Sequence, residues 1–192
     1  MRDFFIEIFS DYSRIIVFLH VVSSALLIGS LFVMRFIVQP VEVDVTDIKI
    51  KFTTCMKMIR RCMFFTAPMM GIIIVTSLFM HLGLGFKSGN PTTYVMVHIK
   101  EALWTFIAFN FTYMYFKYIK AQKGLDEENY IEVEENVILM VRYLIPLNLV
   151  LAIISVYFGV VLRGFYVKPI ILGSSSLTRA QLLQKFGIPF TH

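Results

Sequence analysis

The stretch IIVFLHVVSSALLIGSLFVM, Ile15 to Met34, decides the fold. Its twenty residues carry no formal charge at neutral pH. At about 1.5 Å rise per residue they reach across about 30 Å, the thickness of a bilayer's hydrocarbon core. His20 stands near the start of this run. An ionisable side chain inside a membrane helix is costly, so by default it marks a site.

The rest of the chain agrees with a membrane setting. Of 192 residues, 57% are apolar and 16% charged, and the mean hydropathy is +0.73. A soluble domain is about half apolar and about a quarter charged. The apolar excess must face lipid, so the partner is the bilayer and the chain is one integral membrane domain. The net charge of +5 matters through its placement, which sets topology. No run interleaves basic and aromatic residues, so nucleic acid is not an expected partner. Gly83 to Gly89 does not match a phosphate-binding loop, in which a lysine and a hydroxyl residue directly follow the second glycine of the motif. Cys55 and Cys62 are seven apart, which is neither a metal motif nor a disulfide framework. They read as small packing residues. No cleavable leader is expected, because Asp3, Glu7 and Asp11 make an unsuitable opening segment. Phe4, Phe5, Ile8, Phe9 and Tyr12 fall at helical spacing and predict a short amphipathic helix in the membrane interface.

The expected fold is an all-α integral membrane protein. It is a four-transmembrane-helix bundle with a short interfacial N-terminal helix, residues 1–12, and a small C-terminal tail, residues 166–192. The spans are read at about 13–38, 62–86, 92–118 and 139–163. Pro68 sits inside the second and predicts a kink or a first turn. Between spans one and two, residues 41–61 read as a polar loop that is helical in part. The third span is strictly uncharged only from Ala102 to Phe116. Reaching full length takes in His98, Lys100 and Glu101, which therefore lie at headgroup level or in a polar pocket. The acidic run 124–136 reads as a solvated loop leading into the last span, and SSSLTRAQLLQKF in the tail as a short amphipathic helix. Ten Lys and Arg residues flank the loops after spans one and three, against six on the other side. That bias predicts a multi-pass protein of a cell inner membrane with both termini outside, in the periplasm.

This topology brings His20, His81 and His98 to a similar depth near one membrane face. Two imidazoles facing each other across a bundle bind haem iron axially, and bundle cores commonly house such cofactors. The expected centre is haem b, its iron held by His20 and His98. Small Ser24, one turn from His20, leaves room for a flat ring. Glu101 is placed to accept the other ring proton of His98. Lys100, Arg35 and Arg142 supply positive charge for the haem propionates. A quinone or a porphyrin fits as electron partner, and an oligomer is compatible with the sequence. Copper is the alternative: Met80, His81, Met96 and His98 cluster at the same end, and thioether plus imidazole suits that metal. Two plainer readings stand beside these. A membrane histidine often only hydrogen-bonds a neighbouring helix, and the chain then serves as a cofactor-free assembly subunit.

The residues also carry a resemblance. Span one, with His20, Gly29, Phe32 and Arg35, resembles the first core helix of the superfamily of HemJ-type protoporphyrinogen oxidases and CopD-type copper resistance membrane proteins. The segment TYVMVHIKEAL is similar to the histidine–X–lysine segment of the HemJ type, and Arg142, Tyr143 and Pro146 resemble the final helix of either group. The resemblance covers roughly residues 13–165. It implies a four-helix membrane bundle. For the HemJ branch it implies haem b and an oxidoreductase acting on protoporphyrinogen IX, and for the CopD branch copper handling.

Overall fold

The computed structural model describes residues 2–40, 45–83, 91–165, 170–171 and 190–191. Almost all of them are helical. The elements are α1 (Arg2–Val33), a π-helical segment π1 (Met34–Val38), α2 (Ile48–Gly83), α3 (Pro91–Asp126), α4 (Tyr130–Ile138), a second π-helical segment π2 (Leu139–Leu144) and α5 (Ile145–Phe165). A two-residue strand, Ile170–Ile171, pairs in parallel with Phe190–Thr191. The amphipathic helix expected in the tail lies outside the described residues.

Among the described residues, three stretches are long and apolar enough to cross a membrane: Phe4–Val38, Ile48–Gly83 and Tyr130–Leu162. Large apolar side chains on them face outward; Phe64 is 84% exposed and Val160 67%. Such faces suit lipid and would be a heavy burden in water. Inward, the helices share one core that includes Leu27, Leu31, Ile59, Ile73, Ile107, Met114, Met140 and Ile145. Helix α1 packs against α2 and α5, while α3 packs against α5 and α2, so α1 and α3 occupy opposite corners of the bundle. Five of the methionines, Met34, Met56, Met70, Met114 and Met140, are core residues that fill gaps between helices.

The second helix begins earlier than the expected span. Residues 48–61 are its first turns, and the helix continues through Pro68 to Gly83. Its 36 residues reach about 54 Å, well beyond a core of about 30 Å, so it projects from the membrane at one end. There Phe52 stacks on Tyr130 at 6.3 Å, and exposed Lys49 pairs with Glu128 at 2.9 Å. That bond holds the Glu128 carboxyl below and the Lys49 ammonium above their ordinary pKa values. Asn129 caps α4, its side chain accepting from the Glu132 amide. Glu128, with φ of 56°, turns the chain from α3 into α4. Only residues 127–129 of the acidic run form the turn, and the rest belongs to the end of α3 and to α4. Cys55 and Cys62 form no disulfide with each other: they stand two turns apart on α2, about 10 Å, too far to bridge.

Helix α1 loses helical geometry at one residue, Tyr12, with φ −114° and ψ 15°. Before it, Phe5 packs on Phe79 and Phe9 crowds Gly83. After it, His20 meets Thr76. The contacts before Tyr12 advance in the same sense on both helices, whereas His20–Thr76 reverses that sense. The chain therefore bends at Tyr12, and residues 2–11 pack across the end of α2.

Candidate functional site

The apolar run of α1 presents Ile16, Ser23, Ser24, Leu27 and Leu31 to the bundle, and His20 lies half-buried on the same side. Its Nδ1 stands 2.9 Å from the hydroxyl of Thr76 on α2. Thr76 Oγ1 donates its own proton to the Ile72 carbonyl at 2.6 Å. Its remaining lone pairs therefore accept, and His20 Nδ1–H donates. That pattern of bonds favours the tautomer of the neutral ring with its proton on Nδ1 and its lone pair on Nε2. Ser24 turns its hydroxyl onto the His20 carbonyl at 2.8 Å, so it offers no donor to the bundle interior and stays compact.

A second polar group forms where α2 ends and α3 begins. Glu101 reaches both histidines of that end, with Oε1 at 2.8 Å from His81 Nδ1 and Oε2 at 2.9 Å from His98 Nδ1. One carboxylate thus ties the last turn of α2 to the first turns of α3. His98 also packs edge-on against Tyr94 at 4.3 Å. The side chain of His98 is 47% exposed, whereas that of His81 is 19% exposed.

Lys100 points the other way, into the bundle. Its Nζ lies over Gly159 of α5, where an added Cβ would stand 3.3 Å from it. It is close enough to His20 for its charge to act on that ring. One turn on, Trp104 has a buried indole Nε1 with no hydrogen-bond partner.

The expected constellation is therefore divided. His20 and His98 share no partner: one is held by α2 in the interior, and the other faces outward beside Tyr94. Of the three cations assigned to propionates, only Lys100 lies at the His20 level. Arg35 is fifteen residues beyond His20 along the chain, about 22 Å, and bonds to Gln39. Arg142 lies on the π2 segment, which contacts π1 at that same far end. A cofactor held at His20 does not reach these arginines, because four helical turns intervene. Met96 packs against Val97 and Leu162, and Met80 is half-buried beside His81. Among the described residues, no three His, Cys, Asp or Glu side chains converge on one point suited to a metal ion.

Some polar residues of the interior carried no local signal. Thr76 and Trp104 sit in apolar runs where nothing marks their direction. Asn110 and Asn148 were silent for the same reason; Asn110 Nδ2 donates to Asn148 Oδ1 at 3.1 Å across α3 and α5, and Asn148 is fully buried. Comparison with protein-family models, with curated proteins and with solved structures finds no match to this chain.

Proposed function

We propose that the chain is a four-span protein of a cell inner membrane that holds a b-type haem, in which His20 would bind the iron and Lys100 would pair with a porphyrin carboxylate. The observation that carries the reading is the 2.9 Å contact between His20 Nδ1 and the Thr76 hydroxyl. A metal-binding imidazole commonly donates its other N–H to an oxygen of the protein, which orients the ring. Thr76 plays that part here, and it leaves Nε2 with the lone pair an iron requires. A histidine oriented by Thr76 and a lysine at the same level support a haem with one protein ligand and one cation. When bound, such a haem would supply one-electron chemistry with a quinone or a porphyrin as partner. The chain's contribution is to orient the ring, exclude water and hold the carboxylate.

The fourth span is α3. Its 36 residues are long enough to cross. Trp104, Asn110 and a series of tyrosines and threonines make it less apolar than its neighbours, and its packing between α5 and α2 supports a place inside the bundle. With four spans, the excess of Lys and Arg after spans one and three puts both termini outside.

Purified protein should show a Soret band and a sharp reduced α-band. His20→Ala should lose both while still inserting in the membrane, and His98→Ala should retain them. Full retention in His20→Ala would refute the ligand assignment. Copper without a Soret band would favour the copper-handling reading, and neither chromophore nor metal a cofactor-free assembly role.

A further inference from the structure

We infer that Lys100 and Trp104 form a carboxylate-binding site in the seam between α3 and α5, suited to a carboxylate carried into the bilayer on an apolar body. The two residues are four apart on α3, so their side chains are neighbours on one helix face. Both are donors only: an ammonium and an indole N–H have no acceptor capacity. Among the described residues Lys100 has no ion pair or hydrogen bond. Its neighbour Glu101 has one oxygen committed to His81 and the other to His98. Trp104 Nε1 is buried and also lacks a partner. Buried polar groups are rarely left unmatched. Two adjacent unmatched donors, one of them charged, describe a site whose missing member is an anionic acceptor.

The surroundings narrow the ligand further. The ammonium lies over Gly159, and a side chain there would occupy the space beside it. One positive charge balances one carboxylate, whereas a doubly charged phosphate would be left with uncompensated charge in a low-dielectric setting. A carboxylate also has two oxygens, one for each donor. Flanking residues of α5, Val156 and Val160, are exposed and apolar, so the remainder of the ligand lies in acyl chains. Two sources carry this chemistry: a propionate of a porphyrin and the head of a free fatty acid. The porphyrin source rests on the haem reading above; the fatty-acid source stands without it.

Trp104 is the chain's single tryptophan, so its emission reports on the site directly. The full-length protein in nanodiscs of zwitterionic lipid is titrated with 2-bromopalmitate, whose heavy atom lies beside the carboxylate, and with its methyl ester. Parallel titrations use protoporphyrin IX and its dimethyl ester. At least one free acid should quench Trp104 saturably, and its ester should bind at least about tenfold more weakly, as loss of a charged hydrogen bond requires. Lys100→Gln should weaken the acid by about the same factor and leave the ester unchanged, while Lys100→Arg should retain most of the binding. Quenching by bromopalmitate identifies a fatty-acid source, and quenching by protoporphyrin alone a propionate. Equal affinity for acid and ester in the unmodified protein would overturn the inference, and that comparison needs no variant to fold. Acid binding without any Soret band in the purified protein would sink the haem reading and leave this site standing.

Discussion

Replacing Thr76 with valine removes one hydroxyl and keeps the branched shape of a side chain that is 5% exposed. The change breaks the 2.9 Å contact with His20 Nδ1. Interhelical side-chain hydrogen bonds in membrane proteins average about 0.6 kcal/mol and reach about 1.7 kcal/mol by double-mutant cycles. The Thr76 hydroxyl is itself polarised by donating to Ile72 at 2.6 Å, so about 1 kcal/mol is expected, a factor of about five in equilibrium. The cycle uses Thr76→Val, His20→Phe and the double variant. The Thr76–Ile72 bond is absent from both corners that carry the valine, so it cancels. Unfolding free energies are read from detergent titration of cofactor-free protein in mixed micelles. Nitrogen chemical shifts of His20 give the second readout: the Nδ1–H tautomer should dominate, and Thr76→Val should let the Nε2–H form appear. A coupling within about 0.3 kcal/mol of zero, together with an Nε2–H ring in the unmodified protein, would refute both the bond and the ligand geometry built on it.

Three further outcomes are expected. Asn148→Leu strands the Asn110 amide and should destabilise the bundle by about 0.6 to 1.7 kcal/mol, with most of the loss restored when Asn110→Leu is added; a double variant no better than the single one would count against the pairing. Gly83→Ala drives a Cβ into the near side of the Phe9 ring and should cost about 1–3 kcal/mol, relieved by Phe9→Ala, as thermal unfolding of the four proteins would reveal. The Glu128 carboxyl should titrate below its ordinary range because Lys49 donates to it. The pair's contribution to stability is therefore present above the ordinary carboxylate pKa and lost as pH falls through the lowered one. On the alkaline side it is lost as pH rises through the raised pKa of Lys49. Lys49→Gln should move the Glu128 titration upward in an NMR pH series, and an unmoved titration would count against the pair.

What the sequence alone determined was the membrane character and the helices. Twenty uncharged residues from Ile15 to Met34 admit few structures other than a spanning helix, because an unpaired backbone group in hydrocarbon costs several kcal/mol. Tyr12 as a boundary was legible too, since the pattern changes there from amphipathic to uniformly apolar. The extent of α2 was not: Lys51, Lys57, Arg60 and Arg61 read as a loop, but helices outlast the membrane when a partner such as α4 covers their projecting turns.

Directions of side chains were decided by the tertiary structure. His98 and Lys100 are two residues apart, so on a helix they point about 160° apart. Packing against α5 turned Lys100 inward, and His98 was left outside with Tyr94 and Glu101. Depth along a span follows from counting residues, and that count alone groups His20, His81 and His98 near one end. Azimuth follows from which neighbour each helix face meets, and a nearly uniform apolar run does not encode that. Thr76 became the partner of His20 only once α1 and α2 lay side by side.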